Sequence, residues 1–182
     1  MPGSRGCGSL GNILAGEVNP SGHLADTYAY DLTTAPSYYN FGDYTYSNFD
    51  GNNKYVYYQE GIYVGYRYYE TAAADGYIDY DTTVQFPFGY GLSYTNFDWE
   101  VEKTELGDIG GTINIDVKVT NTGDVAGKDV VELYYAAPYD PAEEIEKSSV
   151  VLGAFEKTNT LKPGESETVT LTMNCLLYTS DA

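Results

Sequence analysis

GTINIDVKVTNTGDVAGKDVVELYYAAP, residues 111–138, is the stretch from which the fold can be read. Ile113, Ile115, Val117 and Val119 alternate with Asn114, Asp116 and Lys118. A period of two puts the apolar set on one face of a strand and the polar set on the other. TNTGDVAG is rich in turn formers, and KDVVELYY reads as a second strand stopped by Pro138. Working outward, SSVVLGAFEK is a further strand candidate and LKPGES a turn. SETVTLTM alternates Val169, Leu171 and Met173 with threonines, and FDWEVEKTEL stands in front. Five strands at short, regular intervals, with no helix signal between them, predict a mainly β, immunoglobulin-like antiparallel sandwich. Such a sandwich needs about seven strands. The expectation is therefore a truncated sandwich with an unpaired edge, which makes the chain sticky. Residues 175–182, CLLYTSDA, follow neither strand nor turn logic and are expected to be foreign to the fold.

The residues before the sandwich read differently. Of the 21 tyrosines, 17 lie between Tyr28 and Tyr94. YTYSNFDGNNKYVYY, residues 44–58, has the form of a hairpin with Asp50-Gly51-Asn52-Asn53 as its turn. EGIYVGYRYYE alternates like a strand, with Ile62, Val64, Tyr66 and Tyr68 on one face and Tyr63, Gly65, Arg67 and Tyr69 on the other. VQFPFGYGLSYTNF, residues 84–97, sets five rings around Pro87, Gly89 and Gly91. Proline and glycine bend the chain there, and stiff rings fill a seam at low entropy cost. Nearer the N-terminus, Ser9 is a candidate N-cap, Leu10, Ile13 and Leu14 have helical spacing, and Gly16 is a natural stop. Asn19-Pro20-Ser21-Gly22 predicts a tight turn. One short helix and a turn cannot bury a core, so this piece reads as the end of something larger.

Composition excludes several function classes. The chain of 182 residues carries 9 basic and 27 acidic side chains, a net charge of −18. Such a surface repels phosphate, which argues against nucleic acid and anionic membranes as partners, whereas a neutral sugar meets no such penalty. No apolar run reaches membrane-spanning length, and MPGSRGCGSLGNILAG is not a signal peptide, so the compartment stays open. Cys7, Cys175 and the single histidine, His23, form neither a zinc set nor a disulfide framework. The acidic run at Glu143, Glu144 and Glu146 lacks the Asp/Asn/Gly ladder of a calcium loop, as does IDYDTT. The expectation is no metal and no cofactor.

Several segments together resemble glycoside hydrolase family 3, the β-glucosidase and β-xylosidase type. They are GNILAGEVNPSGHLADTY, EGIYVGYRYYE, FPFGYGLSYTNF, VTNTGDVAGKDVVELYYAAP and LGAFEKTNTLKPGESETVTLTM. The likeness covers roughly residues 3–174, and FPFGYGLSYT and VTNTGDVAGKDVVELY are highly specific in combination. The resemblance implies a (β/α)-barrel, an α/β sandwich domain and a fibronectin type III-like β-sandwich. On this basis residues 1–26 are the tail of the α/β sandwich domain, 27–94 an aromatic-rich linker, and 95–174 most of the fibronectin type III-like domain. The order of domains in the parent stays open. The family's retaining hydrolysis needs two carboxyl groups flanking the glycosidic bond. Its nucleophile lies in a Ser-Asp-Trp context on the barrel. The only tryptophan here is Trp99, in FDWEVE, and Phe97 precedes its Asp98. No catalytic residue carries over. The partners implied are a β-linked oligosaccharide or glycoside, met through the parent, and the missing barrel and α/β domains.

Tyrosines also stack on sugars, so Tyr63, Tyr66, Tyr68, Tyr69 and Tyr90 are alternatives for a carbohydrate wall. Tyr63, Arg67 and Tyr69 are the substrate-binding candidates. Packing in a domain seam is the favoured reading for the rings, and an ion pair or hydrogen bond to a neighbouring domain is favoured for Glu60 and Arg67. His23, alone after the NPSG segment, reads as structural. A stand-alone carbohydrate-binding or adhesion module is the competing reading of the whole chain.

Overall fold

The structure, a computed structural model, describes residues 3–39, 44–45, 54–56, 58–108, 110–140, 142 and 145–174. All five strands expected after residue 95 form. Strands β5 (Phe97–Leu106), β6 (Thr112–Asn121) and β9 (Ser166–Asn174) make an antiparallel sheet with β6 central. Strands β7 (Val130–Tyr135) and β8 (Val151–Lys157) make a two-stranded antiparallel sheet. The alternation seen in sequence sets the register. Ile115 lies opposite Leu171, and Val117 opposite both Val169 and Val101, so one face of the sheet is mainly apolar, interrupted by Thr104 opposite Ile115 and Glu167 opposite Val119. Val117, Val119, Val131, Leu161, Val169 and Leu171 form the core, with Phe97, Leu133 and Ala154 packed against it. Each large apolar side chain, once fully buried, contributes about 1.5–3 kcal/mol. On the outer face, β9 threonines bond across the sheet: Thr170 donates to Asp116 at 2.6 Å and Thr172 to Asn114 at 2.8 Å.

Polar side chains are buried too, Thr95, Asn121, Ser148 and Thr158 among them. Asn121 is fully buried, and its side chain is fully satisfied. Its Oδ1 accepts from Thr95 Oγ1 at 2.6 Å and from Gly123 N–H at 3.1 Å, and its Nδ2 donates to the carbonyls of Val125 and Leu161, both at 2.9 Å. It thereby ties the TNTG connector to the LKPGES turn. The two-stranded sheet does not cover β5. Trp99, Val101 and Leu106 pair with Val119, Val117 and Ile113 and share their face, yet stand 52%, 64% and 76% exposed.

Three expectations about the first 94 residues need correction. Helix α1 runs Gly3–Leu14, so it starts well before Ser9, because extending a formed helix costs less than nucleating one. It does stop at Gly16, whose φ of 76° lets its N–H reach the Ile13 carbonyl while Glu17 N–H reaches Asn12. Residues 19–22 make no tight turn. Asn19 spends its side chain on distant partners instead: Oδ1 accepts from Tyr94 N–H at 2.8 Å, and Nδ2 donates to the Ala126 carbonyl at 3.1 Å. Finally, the strand-like reading of EGIYVGYRYYE fails. Gly65, at φ 59°, breaks the extended run, and Tyr66–Ala74 is helix α2. Its alanines favour helix, and Tyr69 and Ala72 bury one stripe of it at a three-residue spacing.

The rest of the aromatic segment is short elements. β1 (Tyr28–Ala29) pairs with β4 (Val84–Phe86), and β2 (Tyr44–Thr45) with β3 (Lys54–Tyr55). The latter pair are the arms of the expected hairpin; its turn, Asp50–Asn53, lies outside the described residues, as do Glu143, Glu144 and residues 175–182. The one-turn helix α3 (Tyr80–Thr83) is capped by Asp79, which accepts from Thr82 N–H at 3.2 Å.

Candidate functional site

Tyr63, Arg67 and Tyr69 lie on the approach to α2 and on α2 itself, and each turns its polar group to a partner within the protein. Tyr63 donates its hydroxyl to Glu146 Oε2, and this bond pushes the phenol up to about 12. It fastens the segment before α2 to the loop before β8. Arg67 sits over the Tyr66 ring, 5.9 Å from its centroid, with Nε 3.5 Å from the Tyr66 hydroxyl. Tyr69 is 3% exposed; its hydroxyl meets Thr34 Oγ1 at 3.4 Å, and its ring meets Tyr68 edge-on at 5.1 Å. Tyr69 also lines a cavity of about 370 Å³ with Leu32, Pro36, Val56, Tyr58 and Val64; Tyr63 and Arg67 do not.

A larger cleft of about 560 Å³ opens between α2 and the sandwich. Tyr66, Glu70 and Ala74 face it from one side of α2, four residues apart, as helical geometry requires. Phe88 and Gly89 come from the bent stretch, Glu132 and Tyr134 from β7, and Ser149 from the loop before β8. The helix is docked by backbone groups. Tyr66 Oη accepts from Leu152 N–H at 2.9 Å, and Thr71 Oγ1 from Ser149 N–H at 2.9 Å. Three rings pack into one wall: Tyr66 to Phe88 at 4.6 Å, Tyr66 to Tyr134 at 6.1 Å and Phe88 to Tyr134 at 6.5 Å. Each acid of the cleft accepts from a tyrosine hydroxyl, Glu70 from Tyr80 at 2.6 Å and Glu132 from Tyr134 at 2.7 Å. Burial first, and then those bonds to carboxylates, push both phenols well above the usual tyrosine range. Gly89, at φ 78°, lies over Glu132, and a Cβ there would collide with Glu132 Oε2.

A second set of contacts clasps residues 13–23 to the sandwich and to Tyr94 just before it. Tyr94 donates to the Ile13 carbonyl at 2.8 Å, and Lys157 Nζ to that of Ser21 at 2.5 Å. Asp129 accepts from Trp99 Nε1 at 2.8 Å and lies 3.7 Å from His23 Nε2, so His23 has a structural partner. Sequence reasoning missed Asn19, Asp129, Glu132 and Tyr134. Only the E-x-Y spacing of Glu132 and Tyr134, which places both on one face of β7, offered a signal. Among the described residues no three His, Cys, Asp or Glu side chains gather as metal ligands, and no helix is long and apolar enough to cross a membrane.

Residues 129–175 match the fibronectin type III-like domain family. Thermostable β-glucosidase B of Acetivibrio thermocellus is 41% identical over 170 residues, covering 92% of this chain and 20% of that protein. Among solved structures, a β-glucosidase from Paenibacillus barengoltzii superposes with a TM-score of 0.76 at 41% identity, covering 93% of this chain and 17% of that one. The glycoside hydrolase family 3 β-glucosidase of Bifidobacterium adolescentis gives 0.73 at 32% identity, covering 97% and 23%. The chain is similar to one portion of glycoside hydrolase family 3 enzymes. Within that family it corresponds to the portion carrying the fibronectin type III-like domain, and it spans about a fifth of the length of the relatives it matches. The β-sandwich, the ring-walled cleft and the clasp thus lie in the portion similar to these β-glucosidases.

Proposed function

We propose that this chain is a supporting, non-catalytic part of a retaining β-glycosidase that hydrolyses β-linked glucosides or related short oligosaccharides. The observation that carries the reading is the match of nine-tenths of the chain to one fifth of a β-glucosidase. Residues 1–26 serve as the tail of the α/β sandwich domain, 27–94 as the linker and 95–174 as the fibronectin type III-like domain. The nucleophile and the acid/base carboxyl then reside in the barrel and α/β domains. The absence of a Ser-Asp-Trp segment from the sequence supports this division. Solved relatives from Thermotoga neapolitana hold glycerol or glucose, which favours a glucoside as the substrate of the whole enzyme. Tyr63, Arg67 and Tyr69 act as packing and fastening groups rather than as substrate contacts, since each is engaged internally.

The test is turnover. The purified chain should release no aglycone from an aryl β-glucoside. Turnover abolished by a point substitution within the chain would overturn the reading. Retention on insoluble glucan or xylan, lost on Tyr66→Ala, would instead favour a stand-alone carbohydrate-binding module.

A further inference from the structure

We propose that the cleft between α2 and β7 receives the guanidinium group of an arginine displayed by the neighbouring part of the enzyme. The inference rests on the supporting role above and specifies its chemistry. The apolar walls are ring faces and edges, those of Tyr66, Phe88 and Tyr134, which meet at interplanar angles of 41°, 77° and 83°. A planar, weakly hydrated cation stacks well on such faces. Two carboxylates, Glu70 and Glu132, face the same space. Each is held by one tyrosine hydroxyl through one oxygen, Oε1 of Glu70 and Oε2 of Glu132, leaving its other oxygen directed to no hydrogen-bond donor among the described residues.

Charge decides the occupant. Among the described residues, no lysine, arginine or histidine lines the cleft. Arg67 stands on the same helix but is engaged with the Tyr66 ring and hydroxyl. Two half-buried carboxylates without a cation are costly, and a cation that accepts both relieves that cost. An anion would be repelled. A sugar would meet the rings and acceptors but leave both charges uncompensated. A metal ion would find no third protein ligand among the described residues. The chain cannot easily supply the cation itself, with 9 basic against 27 acidic side chains. The relatives are about five times as long, so most of the enzyme lies outside this chain and can supply it. Arginine is favoured over lysine because its fork can address two carboxylates while its plane lies on a ring.

The full 182-residue chain would be titrated with N-acetyl-arginine amide and the ring resonances of the cleft followed by NMR. Fluorescence of Trp99, which lies outside the cleft, reports that the fold is intact. Saturable shifts are expected at Tyr66, Phe88 and Tyr134, weakened at least tenfold in Glu132→Gln and in Glu70→Gln. If one of these variants fails to fold, the other still decides. Cellotetraose should leave the same resonances in place. The proposal is overturned if folded wild-type chain shows no saturable shift, if affinity is unchanged in the folded Gln variants, or if cellotetraose competes for these rings. The titration reads the cleft alone, whereas the supporting role is judged by glucoside turnover, so failure of one is distinguishable from failure of the other.

Discussion

Residues 97–174 and residues 27–94 are of similar length but are held together by different means. The first region owes its order to two faces: an apolar one that closes over Val117, Val119, Val169 and Leu171, and a polar one laced by threonines. Its strands are long; the β6–β9 ladder runs unbroken, and the β5–β6 ladder shifts register between Val101 and Lys103. Among its described residues, the second region has strands of two or three residues and few buried side chains, Tyr69, Ala72 and Val84 being three. What orders it is the sandwich beside it: Tyr63 on Glu146, Thr71 on Ser149, Tyr66 on Leu152. A region with its own apolar core can hold its shape alone, while one built on side-chain bonds to a neighbour is ordered only as that neighbour is.

Four measurements would break or sharpen that contrast. The largest effect belongs to the core. Leu171→Ala should lower stability by about 2–5 kcal/mol in urea unfolding, since the side chain is 2% exposed and leaves a cavity. An equal loss from removing a ring of the second region such as Tyr58, which is exposed, would erase the contrast. Next, Gly89→Ala should cost about 1–3 kcal/mol, because φ 78° is strained for alanine and the methyl would strike Glu132. In hydrogen exchange the loss should be greatest at the 84–94 bend and α2, while β6 and β9 remain protected.

The third effect is one of pH. The Tyr63 phenol is raised from its ordinary 10 to about 12 in the fold, because the bond to Glu146 favours the neutral form. Its contribution is therefore complete below pH 10 and is lost as pH rises from 10 to about 12. The melting temperature should fall through that window, and Tyr63→Phe should flatten this part of the fall. An unchanged profile in the variant would show that the fastening has no energetic weight. The smallest effect on stability is expected from Val101→Lys, on the uncovered stripe of β5. Stability should change by no more than about 0.5 kcal/mol, whereas self-association in sedimentation should decrease, since an exposed apolar edge is adhesive. A large loss of stability would mean that the stripe is covered in solution.

How much of this was legible in sequence follows the same division. The five sandwich strands could be read because a period of two, sustained along a segment bounded by turn formers, fits a half-buried strand and does not fit a helix. Helix α2 could not, because YVGYRYY alternates over just the residues where tyrosine favours strand, and the break at Gly65 depends on a positive φ that a glycine permits but does not announce. Asn19 carried the chemistry of a local turn and was drawn instead into contacts with Tyr94 and Ala126. The cleft was invisible: Tyr66, Phe88, Glu132 and Ser149 belong to four separate segments, and no spacing rule connects them.

The sequence by itself determined the sandwich, its register and its family, because alternation and turn chemistry act between near neighbours along the chain. Tertiary structure alone decided which tyrosines face one another, which carboxylates share a cleft and which apolar stripe stays uncovered. These depend on how α2 and the 84–94 bend dock against β7 and β8, through contacts that become possible only when segments distant in sequence are packed side by side.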